Sequence, residues 1–124
     1  MLECKHLIKD YQSGNDVVHA LRDVSFSFRD HEFVSILGPS GRGKTTLLNI
    51  IAGMDSPTDG QALLDGEDIS KYNDKKLTQF RKEKIGFIFQ FYNLLPDLTA
   101  LENVKLSIHG HDEDDKAKKT LELV

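Results

Sequence analysis

The most constraining feature of the sequence is the glycine-rich segment Gly38–Thr45, which fits the phosphate-loop pattern G-x-x-x-x-G-K-[ST]. Its glycines let the backbone curl, so that successive N–H groups point at phosphate oxygens. Lys44 supplies a positive charge to the β- and γ-phosphates of a nucleotide. The Thr45 hydroxyl can ligate the Mg²⁺ that accompanies those phosphates. The segment therefore predicts a nucleotide phosphate site.

The sequence on either side of this loop has the order that such a site requires. Residues 33–37 are apolar and rich in β-branched side chains, which is typical of a buried parallel strand. Residues 45–53 predict a helix whose N-terminus faces the phosphates. Strand, loop and helix together indicate an α/β fold with a P-loop core. The predicted phosphate-binding residues are Gly38, Pro39, Ser40, Gly41, Arg42, Gly43, Lys44, Thr45 and Thr46.

The remaining sequence predicts strands before and after this core. The strands that precede the loop follow one another closely, which indicates a hairpin arrangement and an antiparallel region. Thr99 and Glu102 have capping-box spacing, so a helix is expected to begin there. Acidic residues followed by lysines suit a solvated helix at the end of the chain better than an acidic binding tail. The expected strands are 2–11, 24–28, 61–64 and 85–89, and a surface helix is expected over 74–84.

Composition excludes several classes of function. The net charge of −4 does not favour a protein whose main function is to bind nucleic acid. The single cysteine, Cys4, cannot form an internal disulfide and agrees with a reducing compartment. The five histidines have no metal-ligand spacing, and we find no Ser/His/Asp or Cys/His arrangement. No apolar stretch is as long as a membrane span and no signal-peptide pattern occurs, so we expect any membrane role to come through a partner.

Two further residues have possible chemistry, and the residues alone leave their interpretation open. Gln90 follows the predicted strand 85–89, where ligands of a P-loop sheet gather. It could reach Mg²⁺ or an attacking water, or it could be an ordinary polar residue at a strand end. Tyr11 could stack on a purine ring, or it could be a partly buried strand aromatic.

Taken together, these segments resemble the first half of an ATP-binding-cassette (ABC) transporter ATPase, and the resemblance spans essentially the whole chain. The continuation from Phe91 to Val104 resembles the subgroup that works with lipoprotein-release and macrolide-export permeases. Four other segments carry the match: Tyr11 in its strand, the phosphate loop with Thr45–Leu48, Asp55–Gly60, and Ile85–Gln90.

The resemblance implies ATP and Mg²⁺ as cofactors. Tyr11 matches the adenine-stacking aromatic, and Gln90 matches the glutamine that contacts Mg²⁺ and water. Mg²⁺ would then lie at Thr45 and Gln90, with Lys44 and Gln90 taking part in catalysis. The implied partners are a membrane permease and a second ATP-binding subunit. The implied location is cytoplasmic, at the inner face of the cell membrane.

The resemblance also implies an incomplete domain with three regions. These are an antiparallel β region over about 1–32, a P-loop core over about 33–93, and the start of a helical subdomain over about 94–124. The LSGGQ signature, the Walker B aspartate with its catalytic glutamate, and the switch histidine do not occur in this sequence. We therefore expect this chain alone to bind ATP weakly or not at all and to hydrolyse it negligibly.

Two alternatives remain at this point. The chain could be a truncated relative or remnant that binds nucleotide or a permease without hydrolysis. It could also be a different phosphate-loop enzyme such as a small kinase, although the sequence after Gln90 adds nothing that a kinase needs.

Overall fold

A computed structural model of the protein describes residues 1–39, 41, 43–91, 93–108 and 113–124. These residues form two units, Met1–Gly86 and Phe87–Val124. The division of the domain into three regions at residues 32/33 and 93/94 stays a prediction.

The first unit is built on a four-stranded antiparallel sheet. Strands β1 (Leu2–Ser13) and β2 (Asp16–Phe28) form a hairpin, and Gly14 in its turn has a φ of 61°. Strand β3 (Asp59–Leu64) pairs with the other side of β1, and the short β4 (Glu67–Asp68) pairs with β3. The strand order is β2-β1-β3-β4. The predicted antiparallel region is therefore present, and its second strand begins eight residues earlier than expected.

An irregularity in β1 determines which side chains enter the core. Cys4 and Leu7 are both buried although they are three residues apart, which strict alternation along a strand does not allow. The register of β1 against β2 shifts between these two residues, and His6 between them has a φ of 53°. The shift is a β-bulge, and it turns Leu7 back to the face that Cys4 already occupies.

Two helices cover the sheet of the first unit. Helix α1 (Lys44–Ile51) buries Leu47 and Ile50. Helix α2 (Asp74–Lys84) occupies the predicted range, and the side chain of Asn73 caps its N-terminus by accepting a 2.9 Å hydrogen bond from the Lys76 backbone N–H. A 3₁₀ turn lies between β4 and α2. The buried core contains Cys4, Leu7, Leu21, Leu47, Ile50, Ala62, Ile69 and Phe80.

The described residues of the second unit include two helices. Helix α3 (Ala100–Lys105) begins with the predicted capping box, in which the Thr99 hydroxyl accepts from the Glu102 backbone N–H and the Glu102 carboxylate accepts from that of Thr99. Helix α4 (Glu113–Glu122) confirms the expected helix in the charged tail. Asp112, the first of the acidic residues in this tail, lies outside the described residues.

The prediction of strands at 33–37 and 85–89 was wrong, because neither segment is hydrogen-bonded into a sheet. Phe33, Leu37 and Ile88 are 95%, 90% and 98% exposed. A parallel strand requires neighbouring strands and cover on both faces, and no described residue pairs with these segments. Among the described residues, the segment before the phosphate loop therefore has no sheet partner on either side.

The helices that the structure describes are too short and too polar for any of them to cross a bilayer.

Candidate functional site

The phosphate loop of the first unit ends in a backbone conformation that glycine favours. Gly41 and Gly43 have φ angles of 78° and 83°. Gly43 is the N-cap residue of α1, and no side-chain hydrogen bond caps the helix there. Among the residues that the structure describes, no side chain accepts a hydrogen bond from the backbone N–H groups in the first turn of α1. Unsatisfied amides at a helix N-terminus are the groups that bind a phosphate.

The Lys44 side chain curls back into the loop. Its ammonium donates to the carbonyl oxygens of Gly38 and Pro39, the latter at 2.6 Å. The positive charge is therefore held inside the curve of the loop rather than extended into solvent. This position places a point charge next to the helix N-terminus, where both attract an anion.

The two threonines that follow differ in exposure. The Thr45 side chain is exposed at the start of α1, where its hydroxyl fits the hard-oxygen chemistry that Mg²⁺ requires. Thr46 is half-buried and lies next to Tyr11. The predicted contributions of Ser40 and Arg42 fall outside the described residues.

Asp55 and Lys9 hold the side chain of Tyr11 in place. We call these three side chains the tyrosine anchor. The Tyr11 hydroxyl donates to Asp55 Oδ2 at 2.7 Å, and Lys9 Nζ donates to Asp55 Oδ1 at 3.1 Å. Lys9 also donates to the Ser56 carbonyl at 2.7 Å, and its ammonium lies 4.9 Å from the Tyr11 ring centroid. Tyr11 is 38% exposed, so the ring remains accessible although its hydroxyl is bound.

The charges within the tyrosine anchor reinforce this geometry. The hydrogen bond to Asp55 raises the pKa of Tyr11, whereas a weaker contact with Thr46 lowers it. Burial raises the pKa of Asp55, but the hydrogen bonds from Tyr11, Lys9 and the Ser56 backbone outweigh burial and lower it. At neutral pH the phenol is therefore protonated and the carboxylate ionised, which is the combination that this bond needs.

Sequence reasoning missed the roles of Lys9 and Asp55. Asp55 lies 44 positions after Tyr11, and only the folded chain brings the two together. A weak signal was present, since Asp55 begins one of the segments that carry the family resemblance. The residues themselves gave no indication of what it contacts.

Gln90 belongs to the second unit, where its side chain is exposed. The segment before it is not a strand, so Gln90 does not stand at the end of a formed sheet strand. Its contact with Mg²⁺ stays a prediction. Among the described residues, no group of three or more His, Cys, Asp or Glu side chains is placed to hold a metal ion.

Comparisons with known proteins show the family to which the sequence is similar. The family model described as ABC transporter matches residues 21–124. An uncharacterized ABC transporter ATP-binding protein of Thermotoga maritima is 47% identical, over all of this chain and 55% of the relative. The ABC transporter ATP-binding protein YknY of Bacillus subtilis is 42% identical, over all of this chain and 56% of its own length. The chain thus spans about half the length of the curated relatives that it matches.

Solved structures give the same result for the fold. The ATP-binding cassette MJ0796, in a dimeric post-hydrolysis state bound to ADP and Pi, superposes with a TM-score of 0.89 at 40% identity. That match covers 99% of this chain and 56% of the cassette. The predicted P-loop fold with an N-terminal antiparallel region is confirmed.

Proposed function

The chain belongs to the ABC transporter family of ATP-binding proteins, and we propose that it binds MgATP as part of the ATPase that powers a membrane export permease. Proteins of this family bind ATP, typically with Mg²⁺. In this chain the triphosphate would lie over Gly38–Thr46, and Tyr11 would stack on the adenine. Mg²⁺ would be held by Thr45 and Gln90, and it would neutralise charge on the phosphates.

The observation that carries the proposal is the position of Lys44. Its ammonium is held by two loop carbonyls, those of Gly38 and Pro39, and Lys44 is itself the first residue of α1. Phosphate oxygens can replace those carbonyls as acceptors without moving the charge out of the loop. A charged donor and the helix amides then act on the same anion, which suits the β- and γ-phosphates of a nucleotide.

The partners follow from the family. ABC cassettes work with a membrane permease and dimerise, and MJ0796 is a dimer in its solved structure. We propose the same two partners here, and attachment to the inner face of the cell membrane through the permease. The resemblance of residues 91–104 supports an export permease of the lipoprotein-release or macrolide type.

The second candidate function is that of a module that binds nucleotide without hydrolysing it. The motifs present in the sequence favour this function when these 124 residues act alone. The catalytic glutamate and the signature that the family uses are not among these residues. Each such element contributes about 10²–10⁴ in rate. We therefore expect negligible turnover by the purified 124-residue chain. Steady hydrolysis that Lys44→Ala abolishes would overturn this expectation.

Titration with a fluorescent ATP analogue, with and without Mg²⁺, tests the binding proposal. Lys44→Ala should weaken binding about 10- to 100-fold, because a charge-assisted contact to phosphate is lost. Lys75→Ala, an exposed lysine of α2, is the matched control and should leave binding unchanged. Equal affinity in the wild type and Lys44→Ala would contradict the assignment of the phosphate site.

A further inference from the structure

The bond between Tyr11 and Asp55 restricts a side chain that would otherwise be free to move. A tyrosine that is 38% exposed can occupy several rotamers about its first side-chain torsion. The 2.7 Å bond from its hydroxyl to an ionised carboxylate selects one of them. The aromatic ring is therefore oriented before any ligand arrives, which reduces the entropy lost on binding.

Asp55 can hold the ring because its own position is fixed. Its Oδ1 accepts from Lys9 at 3.1 Å and from the Ser56 backbone N–H at 2.8 Å, which leaves Oδ2 for Tyr11. The Lys9 side chain is only 14% exposed. The carboxylate thus has two donors of its own, besides the phenol that it positions.

The same lysine distinguishes the two faces of the ring. The Lys9 ammonium lies 4.9 Å from the Tyr11 ring centroid, over one face. A flat ligand would therefore stack on the opposite face. Tyr11 also neighbours Thr46 in the first turn of α1, so the ring and the phosphate loop lie side by side in the same unit.

We propose that Asp55, supported by Lys9, is a positioning residue that orients Tyr11 for stacking on the base of a bound nucleotide. The inference rests on the proposed function, because it requires a nucleotide on the phosphate loop. It adds that recognition of the base depends on a carboxylate that does not touch the nucleotide. A purely structural role for Asp55, joining β1 to the segment after α1, would affect every ligand of the loop alike.

Two ligands separate these roles: ATP and inorganic tripolyphosphate, each used to displace a fluorescent ATP analogue from the full chain. Asp55→Ala and Tyr11→Phe should each weaken ATP about three- to tenfold and leave tripolyphosphate within about twofold. Tyr11→Phe keeps the ring and its packing, so it remains informative if Asp55→Ala folds poorly. Asp16→Ala, an exposed carboxylate of β2, is the matched control and should change neither ligand.

A double variant tests whether Asp55 acts through the ring. In a Tyr11→Ala background, adding Asp55→Ala should have no further effect on ATP affinity. Equal weakening of ATP and tripolyphosphate by Asp55→Ala, or no weakening of ATP, would overturn the inference while leaving the phosphate site intact. If neither ligand binds in a Lys44-dependent manner, the proposed function fails, and the inference fails with it.

Discussion

A Cβ atom on Gly43 would lie 2.5 Å from the carbonyl oxygen of Ala20, closer than any side chain can approach. The last glycine of the phosphate loop therefore rests directly on the backbone of β2. Its φ of 83° adds a second requirement for glycine at this position. The antiparallel hairpin thus supports the point where the loop becomes α1.

Gly43→Ala should destabilise the protein by about 3 kcal/mol, because it combines a left-handed backbone with a backbone clash. Gly41→Ala is the control, since Gly41 also has a positive φ but a Cβ there would meet nothing within 4 Å. We expect this control to lose only about 1 kcal/mol. Urea unfolding of the two variants measures both values, and equal losses would show that Ala20 does not restrict the loop.

Cys4 gives a pH-dependent prediction. Burial raises the pKa of its thiol to about 11, from an ordinary value of 9.0. A raised pKa in the folded state contributes stability that is complete below about pH 9 and is lost as the pH rises towards 11. Between pH 8 and 11 the wild type should therefore lose about 2 kcal/mol more than Cys4→Ala.

Reaction of Cys4 with a thiol reagent provides a second measurement. The thiol is 2% exposed, and at pH 8 only about one molecule in a thousand carries the reactive thiolate. Labelling of the native chain should be slow, and addition of denaturant should accelerate it strongly. Fast labelling under native conditions would show that the reagent reaches Cys4 in the folded protein, and hence that the core beside β1 is accessible to solvent.

The bulge in β1 illustrates what the sequence could not reveal. A strand over residues 2–11 was predictable from the sequence, and β1 confirms it. The burial of both Cys4 and Leu7 was not predictable, because a period of two would place them on opposite faces. The bulge depends on pairing with β2, and this pairing is a property of two strands rather than of either segment.

The second unit shows a similar contrast between local and tertiary information. The capping box at Thr99 was predictable, since it is contained in four consecutive residues. Asn103 was not, although its side chain organises the loop before α3. Its Oδ1 accepts from the Leu95 N–H at 2.8 Å. Its Nδ2 donates to the carbonyl oxygens of Leu95, Leu98 and Thr99 at 3.1, 3.2 and 3.0 Å.

Asn103→Asp should loosen this loop, because it keeps the acceptor but replaces the donor with a negative charge facing carbonyl oxygens. The expected loss is about 1–3 kcal/mol of local stability, the cost of unpaired polar groups. Limited proteolysis between residues 93 and 99 should accelerate accordingly. Asn93→Asp makes the same chemical change at an exposed position of the same unit and should leave the cleavage rate unchanged.

The segment before the phosphate loop combines a correct and an incorrect prediction. Its apolar pattern indicated a strand buried on both faces, but only one side of it is covered. Ile36 packs against the core, whereas Phe33 and Leu37 are almost fully exposed. A sequence pattern reports that an apolar residue suits burial, but it does not report whether a covering layer is present.

Serine substitutions on the two sides of this segment should therefore differ in their effect on the stability of the protein. Ile36→Ser should lose about 1–2 kcal/mol in urea unfolding, since it removes core contacts and introduces a polar group. Phe33→Ser and Leu37→Ser should stay within about 0.5 kcal/mol of the wild type, because little apolar area is buried there. They should also reduce self-association in sedimentation experiments, since they remove exposed apolar surface. Equal destabilisation at positions 33 and 36 would show instead that the segment is covered on both faces in solution, as its sequence pattern predicts.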